Sequence, residues 1–368
     1  MVEISRRHFL HSSATALLGG SAFGQQRGEV PTIDGWIKKQ AADAPLTMKF
    51  TGSNADECRK WQSDFSAKLR AMLGDFAPPK KWETLSEHTV ELDDHIREEL
   101  ILKAEGIPPL PVYLLIPKKK IEGKRAGIVA LHGHGSHGYE PVAGRDDLPG
   151  VDNAIKSCKY DYGRQLVRRG YVVAVPCLTP FGRRLGNPDS YGKQDACAIT
   201  FLRLQLLGKL LIAENLRDSL WALELLARHE QVDAKRLGCV GLSLGGRMTM
   251  LMAAVEPRIK VAVVSGALNV LQERVGQHYS CGAQIIPGLL QFGDVPEIGS
   301  LIAPRPCVWE IGSRDTLISP KWADEALTRM GHAYKALGAE KELLVDRFEG
   351  GHEWSGRVGY GVMEKLLG

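Results

Sequence analysis

The sequence predicts an α/β fold, with a mostly parallel central sheet and helices on both of its faces. Two observations carry that reading. From residue 126 onward, short apolar runs alternate with helical segments, and apolar runs separated by helices make a parallel sheet covered on both sides. One run, RLGCVGL (236–242), passes through a glycine-flanked serine directly into a helical pattern, which requires a sharp strand-to-helix turn. The composition agrees. Of 368 residues, 44% are hydrophobic and 24% charged, which excludes a disordered or fibrous chain. The 47 basic and 43 acidic residues nearly balance, and no basic stripe is visible, so nucleic acid is not an expected partner.

In chain order, Ser5-Arg6-Arg7-His8-Phe9-Leu10 precedes an uncharged, weakly apolar stretch that ends at Ala22-Phe23-Gly24. Residues 1–24 resemble a bacterial twin-arginine signal, which implies the twin-arginine export machinery and a periplasmic or secreted protein. The stretch is too short and too rich in Ser and Gly to span a bilayer, and no stable membrane insertion is expected. Residues 25–85 read as an N-terminal arm and a helix. Cys58, Trp61, Phe65, Leu69 and Met72 recur at helical spacing over 55–73, and Gly74 closes the helix. Residues 86–368 form a single α/β domain. It opens with antiparallel strands near 86–94, 98–105 and 110–116, forming with the N-terminal helix an extension to the main sheet.

Parallel strands follow at 126–131, 171–176, 236–242, 261–266, 306–312 and 342–348, with helices near 160–169, 209–229, 244–255, 319–337 and 353–367. Residues 267–304 form a long insertion before the fifth of these strands, and loops that long are usually functional. The seven cysteines are scattered with no C-x-x-C. Neither a zinc site nor a dense disulfide framework is expected, while an oxidising compartment leaves one disulfide open.

The chemistry centres on Gly241-Leu242-Ser243-Leu244-Gly245. A strand that turns at once into a helix puts Ser243 at the apex in a strained conformation. Gly241 and Gly245 leave room for the turn, and the helix N-terminus favours developing negative charge. A serine at neutral pH needs a base and an orienting acid. For a nucleophile on such an elbow they follow as an acid after a late strand and a histidine near the C-terminus. Asp315 follows the strand PCVWEIG, and His352 lies in the Gly350-Gly351-His352 loop before the last helix. Glu310 is a poorer acid because it falls within the strand, and His332 falls inside a helix. The first parallel strand ends in Leu131-His132-Gly133-His134-Gly135, where glycines free backbone N–H groups for an oxyanion. The N–H groups of Leu244 and His134 are the candidate donors, with Gly135 the rival for the second.

These motifs resemble the α/β-hydrolase superfamily, most closely its dienelactone hydrolase-like and acetyl xylan esterase-like branches. The likeness covers about residues 110–368 and rests on LHGHG, GCVGLSLGG, the stretch from HYSCGAQIIPG to LIAPRP, GSRD and GGHEW. It implies an α/β-hydrolase fold, with Ser243 as nucleophile, Asp315 as acid and His352 as base. Many dienelactone hydrolases carry cysteine as nucleophile. A serine here argues for ordinary carboxylic esters. The resemblance further implies a secreted esterase acting on short-chain or carbohydrate esters of the acetyl xylan kind, with no cofactor.

Rival readings are a prolyl-oligopeptidase-like peptidase, a lactone hydrolase and a non-catalytic carbohydrate-binding protein on the same fold. The N-terminal region is too small for a propeller, and an intact serine, acid and histidine set argues against a pseudoenzyme. His132, His134 and His137 form H-x-H-x-x-H, close to a metallo-β-lactamase-like metal cluster. Ser136 replaces the aspartate of that pattern, so no metal site is assigned to them. Arg183, Arg184, His278 and Tyr279 follow strand ends or lie in the insertion, where ligands of open α/β sheets bind. They are the candidate substrate contacts, with the arginine pair suited to a carboxylate.

Overall fold

A computed structural model describes residues 32–192, 194–277 and 280–368. The twin-arginine segment, His278 and Tyr279 therefore lie outside the described residues. In chain order the described elements begin with α1 (Ile33–Ala42), α2 (Ala55–Leu73), β1 (Glu83–Glu91), β2 (His95–Ala104), β3 (Ile107–Pro117) and β4 (Arg125–Leu131). They continue with α3 (Glu140–Ala143), α4 (Val151–Cys158), α5 (Tyr162–Arg168), β5 (Val172–Pro176), α6 (Ala196–Leu206), α7 (Leu211–Arg228) and β6 (Val232–Leu242). The chain ends with α8 (Leu244–Val255), β7 (Ile259–Ser265), α9 (Leu271–Gln277), α10 (Val295–Ser300), β8 (Cys307–Gly312), α11 (Pro320–Ala336), β9 (Leu343–Phe348) and α12 (Gly359–Leu367).

The strands form one sheet in the order β1-β2-β3-β5-β4-β6-β7-β8-β9. β1, β2 and β3 pair antiparallel, and β3 joins β5 antiparallel. From β5 through β4 to β9 every pairing is parallel. Every residue of β4, β5 and β8 is buried, as a sheet covered on both faces requires. One core layer holds α2, α7 and α8 against the sheet, with Phe65, Leu69, Trp221, Met248 and Leu251 packed together. The opposite layer holds Tyr139, Tyr162, Leu166, Trp354 and Met363. This is the α/β-hydrolase fold that the motifs imply.

α2 forms where the periodicity places it. Asn54 caps it by accepting from the Glu57 N–H, and Cys58, Phe65 and Leu69 are buried. α4 and α6 form where no helix was expected, and three further stretches differ from expectation. The arm contains α1, and its following residues Leu46–Met48 hydrogen-bond to the backbone of Leu290–Phe292 in the insertion. The last helix starts only at Gly359. Residues 353–358 are held as a loop instead, because buried Glu310 accepts the N–H groups of Ser355 and Gly356. The insertion is ordered by α9, two short 3₁₀ turns and α10, whose Asp294–Glu297 capping box is buried.

Candidate active site

β6 ends at Leu242 and α8 begins at Leu244, so Ser243 alone makes the turn. Its φ of 63° and ψ of −120° lie in a region that non-glycine residues avoid. The Ser243 N–H donates to the Ser265 carbonyl at 2.9 Å, and its carbonyl accepts from the Arg247 N–H at 3.0 Å. These bonds anchor the elbow to β7 and to the first turn of α8. Gly245 is required by close approach. A Cβ there would sit 1.8 Å from the carbonyl oxygen of Leu131, the last residue of β4.

Asp315 and His352 come from neighbouring loops that are laced together. The Ser313 N–H donates to the Phe348 carbonyl, and the Arg314 N–H to the Gly350 carbonyl. Asp315 is buried and its Oδ1 accepts the Leu317 N–H at 2.9 Å. Its Oδ2 lies 2.7 Å from His352 Nδ1. A carboxylate can only accept, so this contact assigns the proton to Nδ1 and leaves Nε2 as the basic nitrogen. His352 and Ser243 line the same pocket, of about 430 Å³, together with His134, Gly135, Tyr160, Arg274 and Cys281. Glu310 is buried in β8 and supports the histidine loop at Ser355 and Gly356. Burial raises its carboxyl to about 7.

The loop after β4, the candidate oxyanion loop, is fixed from below. Burial lowers the imidazole of His132 to about 4, so the ring is neutral. Nδ1 lies 2.7 Å from the Gly133 carbonyl and Nε2 accepts the Leu178 N–H at 2.8 Å, tying the end of β4 to the end of β5. With both ring nitrogens engaged, His132 does not join His134 and His137 in a metal cluster. The Gly133 N–H is taken by the Tyr160 hydroxyl. Leu244 is the first residue of α8, so its N–H has no partner within the helix. His134 lines the pocket at the next loop position.

The arginine pair sits elsewhere. Arg183 makes a two-pronged ion pair with Glu87 on β1, at 2.5 and 3.2 Å. Arg184 pairs with buried Asp218 on α7 and donates to the Cys177 carbonyl. Neither lines the pocket of Ser243 and His352, because acidic partners from distant elements hold both side chains away. The arginine that does line it is Arg274 of α9, buried, with an Nε that has no hydrogen-bond partner among the described residues. Burial lowers its guanidinium, opposed by the charges of Glu273 and Asp315. No local pattern in the insertion marks this residue, since only the packing of α9 brings it to the pocket.

Residues 146–274 match the dienelactone hydrolase family. The chain is 28% identical over 294 residues to a Bacillus subtilis (strain 168) protein named Putative hydrolase YtaP, covering 77% of this chain and 92% of that one. Its fold is similar to that of a Bacteroides fragilis protein named as a putative acetyl xylan esterase. The TM-score is 0.70 at 18% identity, over 88% of this chain and 84% of the other. A glucuronoyl esterase from Solibacter usitatus superposes with a TM-score of 0.62 at 13% identity, covering 87% and 96% of the two chains.

Proposed function

We propose that this chain, whose residues 146–274 match the dienelactone hydrolase family and whose fold is similar to that of proteins named as acetyl xylan esterases, cleaves carboxylic esters through an acyl-enzyme on Ser243. The observation that carries this reading is the Asp315–His352 contact of 2.7 Å beside the pocket where strained Ser243 is presented. His352 Nε2 takes the Ser243 proton as Oγ attacks the ester carbonyl. Asp315 keeps the imidazole in the Nδ1–H tautomer and stabilises the imidazolium. The N–H groups of Leu244 and His134 receive the oxyanion, aided by the N-terminal end of α8. His352 then protonates the departing alcohol. A water activated by His352 releases the acid and restores the serine. No step in this sequence calls on a metal or a cofactor.

The substrates this reading favours are short-chain esters and acylated carbohydrate, taken from the kinds of esterase that share the fold. Hydrolysis of p-nitrophenyl acetate and of acetylated xylan by the wild type and by Ser243→Ala tests it. A loss of about 10³-fold or more is expected for the variant, because the three residues act as a unit. Equal rates would dismiss Ser243 as nucleophile. Running lactones and dipeptidyl amides beside the esters separates the rival activities. The reading also takes residues 1–24 as an export address. Arg6→Lys with Arg7→Lys should then retain the precursor in the cytoplasm, and an unchanged periplasmic yield would refute that address.

A further inference from the structure

Beside the catalytic residues, three side chains from separate stretches of the chain converge. His134 comes from the oxyanion loop, Cys197 from the first turn of α6, and Cys281 from the insertion. One ring nitrogen of His134 and the two sulfurs all lie within 4.8 Å of one another. Both cysteines are buried, and both are free thiols, while His134 is exposed. Two soft sulfurs and an imidazole at this separation match a tetrahedral site, whose ligand atoms stand about 3.5–4 Å apart when metal–sulfur bonds are about 2.3 Å and metal–nitrogen bonds about 2.0 Å.

We propose that His134, Cys197 and Cys281 bind a borderline-soft divalent ion of the zinc class at the wall of the catalytic pocket. Hard cations are disfavoured by two sulfurs, and an imidazole with two thiolates suits Zn²⁺. Binding expels the two thiol protons to solvent. The charges of two thiolates and one divalent ion then cancel, so no net charge is buried. Cys281 is prepared for this. Its sulfur accepts the Ala283 N–H at 3.3 Å. A disulfide would use the two sulfurs and leave His134 without a part.

Three protein ligands leave a fourth position. Of the three, His134 and Cys281 line the pocket with Ser243 and His352. The ion clamps the oxyanion loop, α6 and the insertion to one point. His132 is already locked by its two ring contacts, so the clamp bears on His134, two residues further on, whose N–H is a candidate oxyanion donor. His134 is thus a positioning residue through its ring, apart from what its backbone does.

The test is metal content of the full chain, exchanged against Zn²⁺ and desalted, with wild type, Cys197→Ser, Cys281→Ser and His134→Ala compared. The wild type should hold about one zinc per chain, and each variant less than about a tenth of that. His134→Ala changes an exposed side chain and so reads the site even where a buried cysteine substitution impairs folding. Cobalt in place of zinc should give a thiolate-to-cobalt charge-transfer band that is absent from both cysteine variants. Repeating the measurement on Ser243→Ala keeps this proposal separate from the esterase reading. A wild type that holds no zinc would overturn it, whether its two thiols are free to a thiol reagent or joined as a Cys197–Cys281 disulfide.

Discussion

Gly245→Ala tests the geometry of the elbow without touching any group that does chemistry. The added methyl would lie 1.8 Å from the Leu131 carbonyl oxygen, 2.5 Å from the Leu131 carbonyl carbon and 2.9 Å from the His132 carbonyl carbon. All three are backbone atoms, so no side chain can swing aside. Ordinary contact needs about 3.5 Å, so the start of α8 and the end of β4 must part by more than about 1 Å. Those two ends carry Leu244 and the His132–Gly135 loop, so the candidate oxyanion donors separate from each other. A misplacement of about 1 Å at reacting groups can cost about 10²-fold in rate. Overpacking a tight core typically costs about 1–3 kcal/mol, which a domain stable by about 5–15 kcal/mol survives. The expected result is therefore a folded protein whose kcat/KM for p-nitrophenyl acetate falls by about 10²-fold or more, with a lowered thermal midpoint. Gly361→Ala is the control. It sits exposed on α12 with nothing within 4 Å of its added Cβ, and should gain about 0.5–1 kcal/mol with activity unchanged. A Gly245→Ala variant within about threefold of wild type in kcat/KM would refute the claim that this close approach sets the oxyanion geometry.

Asp315→Asn should lower kcat by about 10³–10⁴-fold with little change in KM, since the amide loses the charge and permits the wrong His352 tautomer. A drop confined to KM would contradict that role. Arg183→Ala should leave KM unchanged for neutral and anionic esters alike, because its partner is Glu87 outside the pocket. Arg274→Ala should raise KM selectively for a uronate ester, by about tenfold if a charge-assisted bond is lost, and equal KM changes on both ester types would dismiss it as an anion contact. Glu310 and His132 predict opposing pH slopes. Glu310, raised by burial from 4.5 to about 7, is protonated only in the folded state across that window, so its contribution to stability is lost as pH rises through it. His132, lowered from 6.5 to about 4, is protonated only in the unfolded state there, so its contribution is lost as pH falls. Glu310→Gln should remove the first slope alone. Relative to wild type, its urea midpoints should then climb between about pH 4 and 7, by up to about 3 kcal/mol in stability, and parallel curves would refute the burial argument.

The sheet was legible because burial on both faces leaves a signal in every parallel strand, and β4, β5 and β8 are apolar runs without alternation. Ser243 was legible for a related reason. A chain that must reverse from strand to helix within one residue writes its steric demand into the flanking glycines. Asp315 and His352 could be named from order alone, and the structure brings them to 2.7 Å. What stayed hidden depends on partners remote in the chain. Arg183 and Arg184 look like free cations until Glu87 and Asp218 arrive from β1 and α7. Glu310 reads as a strand residue until the loop after His352 folds over it, which also shortens the last helix. Arg274 and Cys281 lie in an insertion with no periodic pattern, yet both reach the catalytic pocket. The elements proposed to perform acyl transfer are thus local and readable, while the elements that shape the pocket wall are assembled across the fold. On the proposed reading, substrate choice falls to the pocket wall built by α9 and the insertion, where the sequence is least patterned and where His134, Cys197 and Cys281 meet.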